Sequence, residues 1–514
     1  MNRCAAFFLA LWLAMPAAAF GQASVTTWHN DLARTGQNRA ETQLTPASLR
    51  AGAFHKRCAR RVDGQIYAQP LYLPGVRAGG RPRGLVFVAT KHDSVYAFDA
   101  DCHARAPLWK TSFLGRGVTT MPCTSRGQPQ CDTTILSPEH GITATPVIDG
   151  DRDTIYVAAQ SVEGGVYTQK LHALDVRTGA ELAGSPVTIA ATAPGNARKK
   201  FDPTQAFQRS GLLLLNGVVY IPFASNDSAS GWMIGYDASS LAQRGVFCVT
   251  PTGNLGGIWG GGAAPAVDAD GSIYVATGNG TFDAAAGGSN YSMSVLRLAQ
   301  AKGALTVRDY FTPSNEASLS RRDLDLGSGG VMLLPDQPGA HPHEAIVGFK
   351  TGTLFVLDRA RLGQIDTAHA VQHFVADPQG VYSTAAFWRG NVYLAGVSGR
   401  LTQWRLENGM FPPRPTHESA NLISYPGATP SISSNGTSNA IVWVIGTPGR
   451  VQGGGPAVLR AYDADDVSVE LYASDKAGAR DAAGPGVKFS VPTIADGRVF
   501  VGTQSELDIY GLSR

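Results

Sequence analysis

Five side chains in this sequence are of types that could do chemistry, and each stands beside glycines or in a polar turn. They are Glu163 (Glu-Gly-Gly), Trp259 (Gly-Ile-Trp-Gly-Gly), Asn279 (Thr-Gly-Asn-Gly), Asp325 (Asp-Leu-Asp-Leu) and Lys350 (Phe-Lys-Thr-Gly). Carboxylate and amide oxygens suit hard cations such as calcium. A carboxylate can also remove a proton, and an indole ring offers a flat surface to a ligand. Whether these residues act together depends on the fold that positions them.

Each of these residues also has an ordinary structural interpretation. Gly-Asn-Gly around Asn279 is typical of a turn that needs no ion. Glu163 before two glycines suits a solvated hairpin, and Trp259 among glycines suits packing at the centre of a fold. Asp325 could cap a turn, and Lys350 could be a surface charge. The residue types alone therefore do not separate a site from a set of turns.

Histidines are the other candidates for metal binding or catalysis, namely His29, His140, His341 and His343. His341-Pro-His343 has a spacing that could chelate a metal, but its Pro- and Gly-containing surroundings favour a surface loop. No Gly-x-Ser-x-Gly sequence of a serine nucleophile is present, and no Cys/His spacing indicates structural zinc or covalent haem.

The composition favours a globular β protein. The 514-residue chain has 43% hydrophobic and 16% charged residues, with 60 glycines and 30 prolines. The apolar content is enough for a core, which argues against disorder. Lys and Glu are sparse, which excludes a helical bundle. The net charge is +3 and no long Lys/Arg run occurs, so nucleic acid is not an expected partner.

Residues 1–23 have the pattern of a secretory signal peptide. Arg3 precedes an apolar run from Ala5 to Met15, and small residues follow as far as Ala23. The run is shorter than the roughly 20 residues that a membrane span needs. We therefore predict an exported protein, periplasmic or secreted, without a membrane span and with residues 24–514 as its mature part.

The cysteines agree with export. Cys123 and Cys131 flank a polar loop, where a disulfide would suit an oxidising compartment. Cys58 and Cys102 could form a second disulfide. Cys248 would then be unpaired and buried in the apolar sequence Gly-Val-Phe-Cys-Val.

Repeats must position the candidate residues. A degenerate unit recurs, with a Pro-containing turn, a first strand, a Tyr-Val-type strand and a strand that ends in Asp. The eight copies run from Gln69 to Asp99, Thr145 to Asp175, Leu212 to Asp237, Pro265 to Leu298, Val331 to Asp358, Thr384 to Leu406, Thr429 to Asp463 and Val491 to Tyr510.

Such repeats predict a closed ring of sheets. One four-stranded sheet cannot bury both of its faces alone, whereas a ring of sheets buries them and leaves only short edges. Eight units therefore predict one eight-bladed β-propeller as a single domain. The segment Val25–Leu71 would supply a strand that closes the ring against the last copy, and Glu316–Arg322 would form a short helix.

The unit resembles the pyrrolo-quinoline quinone (PQQ) repeat of the quinoprotein alcohol dehydrogenase-like superfamily, over nearly all of the mature chain. The lead-in from Trp28 to Thr35 carries the resemblance, as do the blade ends Tyr-Ala-Phe-Asp99 and Leu-Asp-Val-Arg-Thr-Gly179. It implies an all-β, eight-bladed β-propeller built from PQQ-like repeats. Related propellers include non-enzymatic scaffolds, so the fold alone does not give the function.

The resemblance also implies a site for PQQ and calcium. Members of the family hold calcium through a Glu, an Asn and the catalytic Asp, which match Glu163, Asn279 and Asp325 here. They place a tryptophan under the quinone and a cation beside it, which match Trp259 and Lys350. Asp325 would thus be both a metal ligand and the catalytic base.

Three features depart from the family pattern. Glu163 stands one residue further from the end of its repeat than is usual, and Leu324 replaces a tryptophan before Asp325. The family's two adjacent cysteines, which form a lid over PQQ, have no counterpart in the corresponding stretch Ser137-Pro-Glu-His-Gly-Ile142. The missing lid leaves the substrate side of the pocket undefined.

The implied activity is a PQQ- and calcium-dependent dehydrogenase that oxidises an alcohol or sugar hydroxyl and passes electrons to a separate soluble acceptor. Calcium would polarise the quinone carbonyl, Asp325 would remove the hydroxyl proton, and Lys350 would stabilise charge on the quinone oxygens.

Two alternatives remain open. The propeller could bind protein or glycan without a cofactor, or it could process carbohydrate with two carboxylates that face each other across a cleft. Convergence of Glu163, Asn279 and Asp325 on one ion would favour the dehydrogenase. Their dispersal, or a Trp259 side chain that fills the centre, would favour the binding scaffold.

Overall fold

Eight antiparallel sheets follow one another along the chain and form a β-propeller, as the eight repeats predict. The computed structural model describes residues 23–122, 138–225, 229–301, 304–448 and 455–513. The proposed signal peptide, apart from Ala23, and the proposed Cys123–Cys131 disulfide lie outside these residues. Within the described ranges, no helix is long and apolar enough to span a membrane.

Each blade has four strands, and each strand pairs with the one before it. The strands of blade 1 are Leu71–Ala78, Arg81–Thr90, Ser94–Asp99 and Trp109–Ser112. Those of blade 2 are Val147–Asp149, Thr154–Glu163, Val166–Asp175 and Val187–Thr188. Those of blade 3 are Leu213–Leu215, Val218–Ser225, Trp232–Asp237 and Gln243–Cys248. Those of blade 4 are Ala266–Val267, Ile273–Ala276, Val295–Ala301 and Ala304–Phe311.

The second half of the ring repeats this arrangement. The strands of blade 5 are Val331–Leu333, Glu344–Gly348, Thr353–Asp358 and Gln372–Val375. Those of blade 6 are Ala386–Trp388, Asn391–Ala395, Arg400–Arg405 and His417–Leu422. Those of blade 7 are Ser431–Asn435, Ser438–Gly446, Val458–Asp463 and Glu470–Ala473. Blade 8 has Thr493–Ala495, Arg498–Gly502 and Glu506–Leu512, and takes Phe54–Arg61 as its outer strand.

Shorter elements decorate the ring. Additional strands are Gln37–Asn38, Val118–Pro122, Glu139–His140, Thr192–Ala193, Asn196–Lys200 and Ala206–Phe207. The α-helices are Pro46–Arg50 and Glu316–Arg321, the second of them at the predicted position. Single-turn and short 3-10 helices lie at Gly260–Gly262, Ala284–Ala286, Leu326–Ser328, Thr367–His369 and Ser474–Arg480.

Phe54–Arg61 closes the ring, as the sequence predicts. It pairs antiparallel with Glu506–Leu512, so the N-terminal part of the chain completes the last blade. Cys58 of this strand forms a disulfide with Cys102, which follows the third strand of blade 1. The disulfide therefore joins blade 8 to blade 1 at the closure, and Cys248 is free and buried as expected.

The tyrosines of the repeat explain how neighbouring blades pack. Tyr156 and Tyr393, in the second strands of blades 2 and 6, are fully buried. Their hydroxyls donate to the carbonyls of Ala238 and Ala464 in the next blade, at 2.6 Å in both cases. Each tyrosine thus fills the space between two blades and satisfies a turn carbonyl there.

A segment of residues 25–38, which we call the axial segment, lies against the innermost strands. Five inner-strand N–H groups from five different blades donate to its carbonyl oxygens: Ile148 to Thr26, Val267 to Leu32, Leu333 to Ala33, Phe387 to Thr35, and Ile432 to Gly36. Inner strands have an unpaired edge that needs hydrogen-bond partners when it is buried. The axial segment supplies them at one end of the propeller.

Two fully buried polar side chains hold the axial segment in shape. Arg34 donates to the carbonyls of Pro265, Trp28 and Asp31 and to the Thr27 hydroxyl, at 2.8 to 2.9 Å. The ring nitrogens of His29 lie 2.7 Å from the carbonyl oxygens of Arg34 and Pro430. His29 thus has structural contacts in the described structure, and His341 and His343 are exposed and pair with nearby aspartates.

We predict that Arg34→Ala destabilises the propeller by roughly 3 kcal/mol or more, because several buried carbonyls lose their donor at once. Denaturant unfolding followed by circular dichroism measures this. Arg39→Ala, an exposed arginine beside the axial segment, is the control and should stay within about 0.5 kcal/mol of wild type. Equal stabilities for the two variants would contradict the role given to Arg34.

We predict that Cys58→Ala/Cys102→Ala lowers the free energy of unfolding by about 4 kcal/mol, because the disulfide closes a loop with a sequence separation of 44 residues. The same unfolding assay, run with and without reductant, measures the effect. Reductant should remove the difference between wild type and the double variant. A difference that persists in reductant would mean that the substitutions act through packing.

Candidate functional site

The loops that precede the first strands meet at the end of the propeller axis that the axial segment leaves open. Arg209, before blade 3, stacks on the ring of Phe489, before blade 8, with 4.2 Å from guanidinium to ring centroid. Tyr382 and Tyr425, before blades 6 and 7, have ring centroids 6.0 Å apart. Contacts between such distant parts of the chain define a shared funnel.

Asn279, Asp323, Asp325 and Lys350 form one cluster on this funnel, which we call the acidic wall. The Asn279 backbone N–H donates to Asp325 Oδ1 at 2.7 Å, and its side-chain amide donates to Asp323 Oδ1 at 2.7 Å. Lys350 Nζ lies 2.6 Å from Asp325 Oδ2 and 2.9 Å from Asp323 Oδ1. Blades 4 and 5 thus bring three predicted site residues together.

Trp259 lies beside this cluster. A Cβ placed on Gly278 would lie 2.7 Å from Asp325 Oδ1 and 3.2 Å from Trp259 Cδ1. Only glycine leaves room for both side chains to approach the backbone there. Trp259 is half-buried and packs nearly parallel to Phe207, with centroids 6.0 Å apart. Its ring is supported on one side by an aromatic residue that the sequence did not single out.

Lys350 is a firmly charged member of the acidic wall. Burial disfavours its charged form, but the carboxylates of Asp325 and Asp323 outweigh burial and raise the pKa of Lys350 above its usual value of 10.5. The ammonium in turn holds both aspartates in place. Asp325 is 7% exposed, so its carboxylate is shielded from water and fixed by two donors.

Glu163 is not joined to this cluster in the structure. It ends the second strand of blade 2, and Lys170 Nζ lies 2.6 Å from its Oε1. Burial acts to raise the pKa of Glu163, but the hydrogen bond and the charge of Lys170, with hydrogen bonds from Ser161 and Thr168, outweigh burial and lower that pKa. Blade 3 lies between the blades of Glu163 and Asn279, and the third expected oxygen donor is engaged with Lys170.

Three cations occupy other blades of the funnel, and we call them the cationic wall. They are Lys91 of blade 1, Arg209 before blade 3 and Lys488 before blade 8. Lys488 lies over the ring of Tyr425, with 4.9 Å from Nζ to centroid. Burial lowers the pKa of Lys91 to about 7. Sequence reasoning missed these residues, although all three stand at the loops where each repeat approaches the axis.

His140 lies beside Phe207 and near two members of the cationic wall, Lys91 and Arg209. Its ring centroid is 5.1 Å from that of Phe207, and the side chain is 1% exposed. Burial, together with the charges of Lys91 and Arg209, lowers the pKa of His140 to about 3. The imidazole is therefore neutral at neutral pH and adds no charge to the funnel.

One observation indicates that the acidic wall could bind a hard cation. Asn279 Oδ1 is buried and accepts no hydrogen bond from any residue that the structure describes, and it lies beside two carboxylates whose oxygens suit calcium. In the described ranges, just one group of three His, Cys, Asp or Glu side chains comes within metal-binding distance, and it is Asp99, Asp101 and His103. That group lies at the other end of blade 1, where Arg83 and Arg498 neutralise its aspartates.

Comparison with solved structures identifies the fold. The chain superposes on quinohemoprotein alcohol dehydrogenase from Comamonas testosteroni with a TM-score of 0.65, at 16% identity over 96% of this chain and 81% of that chain. A europium-containing methanol dehydrogenase gives 0.61, at 13% identity over 95% and 98%. BamB from Moraxella catarrhalis gives 0.50, at 12% identity over 89% and 100%.

These likenesses confirm the predicted fold, a propeller of the kind found in quinoprotein alcohol dehydrogenases. No protein-family model matches the sequence, and no curated protein matches it either. The neighbours include two dehydrogenases and one protein, BamB, whose name gives no enzymatic activity. The fold is therefore established, and function depends on the residues in the funnel.

We predict that Lys350→Met destabilises the protein by about 1–3 kcal/mol at neutral pH, because Asp325 loses the cation that compensates its burial. Since the pKa of Lys350 is raised in the folded state, this loss is constant below the usual lysine pKa and shrinks as pH rises through the raised value. Unfolding of both proteins between pH 7 and 12 measures it. Lys170→Met, which breaks the more exposed Glu163 pair, should cost less than about 1 kcal/mol. An equal cost for both variants would contradict the assigned role.

Proposed function

We propose that the protein is an exported dehydrogenase that uses PQQ and calcium to oxidise an alcohol or sugar hydroxyl. The observation that carries the proposal is the unpartnered, buried Asn279 Oδ1 beside Asp325 and the ring of Trp259. An oxygen donor, a fixed carboxylate and a flat aromatic surface in one funnel suit a metal and a planar cofactor. The likeness to two dehydrogenases supports the same function.

When bound, PQQ accepts two electrons from the substrate carbon, and calcium makes its carbonyl more electrophilic. Asn279 Oδ1 and Asp325 would hold the ion, since hard cations prefer such oxygens. Phe207 packs against one face of the Trp259 ring, and the other face would support the planar cofactor. These roles use side chains that the fold already holds in fixed positions.

Asp325 would remove the proton of the substrate hydroxyl. Its carboxylate is oriented by Lys350 and by the Asn279 backbone N–H. Lys350 also reaches Asp323 at the exposed edge of the acidic wall, and its ammonium would stabilise negative charge that develops beside it. A positioned base in a partly dry site is the arrangement that general base catalysis requires.

The sequence of residues 1–23 supports export to the periplasm or beyond. The Cys58–Cys102 disulfide agrees with an oxidising compartment. Electrons would leave to a separate soluble acceptor, because the chain has no C-x-x-C-H sequence for a haem of its own.

The second candidate is a propeller that binds protein or glycan without a cofactor. The pairing of Glu163 with Lys170 favours it, because the third expected calcium ligand already has a partner. The likeness to BamB agrees with it. Under this alternative, Lys350 and the two aspartates are a structural ion-pair network.

We predict that the calcium-loaded protein binds PQQ saturably, seen as quenching of tryptophan fluorescence and as heat in calorimetry. Trp259→Ala and Asn279→Ala should lose this binding. Asp325→Asn keeps an oxygen ligand but loses the base, so dye-linked oxidation across a panel of alcohols should fall at least about a hundredfold while PQQ remains bound. No saturable binding of PQQ at micromolar concentration would refute the proposal.

In the same assay, Glu163→Gln tests whether Glu163 is the third calcium ligand. If Glu163 moves from Lys170 to the ion, this variant should need more calcium for PQQ binding. An unchanged calcium requirement would assign Glu163 to the hairpin of blade 2. Lys170→Gln is the matched control, because it releases Glu163 without removing the carboxylate.

A further inference from the structure

The cationic wall contains a charge that the described protein does not balance. Arg209 is 8% exposed, and in the described ranges no carboxylate lies within ion-pair distance of it. None of its N–H groups donates to another described residue. Its partner is the Phe489 ring, and a cation–π contact leaves the N–H groups of the guanidinium without acceptors.

A guanidinium in this position calls for an anion. Arginine keeps its charge in proteins, although burial lowers the pKa of Arg209 somewhat. An unpaired buried charge is strongly unfavourable. Since the Phe489 ring covers a face of the guanidinium, the N–H groups at its edge remain for a ligand. A planar guanidinium pairs best with a carboxylate, through two parallel hydrogen bonds.

Two neighbouring features support a ligand site. Phe489 has a φ of 65°, a left-handed conformation that is strained for a bulky residue and that concentrates at binding sites. Gln208 is 2% exposed, and neither atom of its side-chain amide has a hydrogen-bond partner. The loop before blade 3 therefore carries two consecutive polar side chains whose hydrogen-bonding capacity the described residues do not meet.

The two walls have opposite electrostatic characters. In the acidic wall, Lys350 is balanced by Asp325 and Asp323. In the cationic wall, Lys488 lies over the ring of Tyr425 and directly precedes Phe489, whose ring contacts Arg209. A ligand that spans the funnel would meet oxygen donors on one side and positive charge on the other.

We propose that Arg209, with Lys488 beside it, forms a carboxylate-binding subsite opposite the acidic wall, so that the funnel selects a ligand bearing carboxylate groups. The assignment of that carboxylate to PQQ rests on the proposed function. The other source of the same chemistry is an acidic substrate, such as a hydroxy acid. The subsite itself requires only the residues of the cationic wall.

The test compares ligand binding by wild type, Arg209→Gln and Arg209→Lys in calorimetry. Arg209→Gln should weaken PQQ binding about tenfold to a hundredfold, and Arg209→Lys should weaken it less. Benzenetricarboxylate, which has the carboxylates but no quinone, should bind wild type and not Arg209→Gln. The trimethyl ester of PQQ should bind both proteins alike. Arg389→Gln removes an arginine that stacks on Trp388 far from the funnel and is the matched control.

The stability of Arg209→Met without ligand tests whether Arg209 has only a structural role. Because the substitution removes an uncompensated buried charge, it should leave the unfolding midpoint unchanged or raise it. A large loss of stability, with unchanged affinity in Arg209→Gln for every carboxylate ligand, would overturn the subsite.

The remaining outcomes show whether the carboxylate belongs to PQQ or to the substrate, and they distinguish the subsite from the dehydrogenase proposal. If Arg209→Gln binds PQQ normally but loses at least tenfold in kcat/KM for a hydroxy acid relative to the alcohol of the same length, the carboxylate belongs to the substrate. If wild type binds benzenetricarboxylate through Arg209 but does not bind PQQ, the subsite stands and the dehydrogenase proposal fails. If PQQ binding and substrate preference are both independent of Arg209, the subsite fails and the dehydrogenase proposal stands.

Discussion

The inner edges of eight sheets facing one axis set the conditions for the rest of this molecule. An inner strand carries N–H and C=O groups that need partners once the ring closes around them. The axial segment provides acceptors at one end, and it does so with a backbone held by the buried side chains of Arg34 and His29. At the other end, the loops between blades fill the space with side chains. The funnel exists because one end is sealed by backbone and the other is not.

The repeats determined the fold from sequence because their signals are local. A buried tyrosine in the second strand, such as Tyr156, and an aspartate that accepts hydrogen bonds from the following turn, such as Asp237, recur in blade after blade. The closing strand and the Cys58–Cys102 disulfide also followed from the sequence. These features depend on short-range patterning and on the requirement that a ring must close.

The sequence predicted only part of the candidate site. Asn279, Asp325 and Lys350 lie in two consecutive blades, so family order along the chain was enough to place them together. Glu163 was predicted as a ligand from its local sequence. That sequence does not show that Glu163 lies two blades away from Asn279 or that it pairs with Lys170. Arg209 and Phe489 meet across the axis although 280 positions separate them in the numbering. No local pattern carries such a contact, which arises only when the ring closes.

Several polar groups of the funnel have no hydrogen-bond partner among the described residues. The same fold occurs in dehydrogenases and in BamB, so it does not decide between catalysis and binding. Most buried polar groups in folded proteins have a hydrogen-bond partner. Among the described residues, Asn279 Oδ1 and the Gln208 amide have none, and Arg209 has only an aromatic face. Each lowers the stability of the unliganded protein, and a ligand that meets them recovers that free energy on binding. Asn279 belongs to the acidic wall and Arg209 to the cationic wall, so a ligand that meets both groups must reach across the funnel.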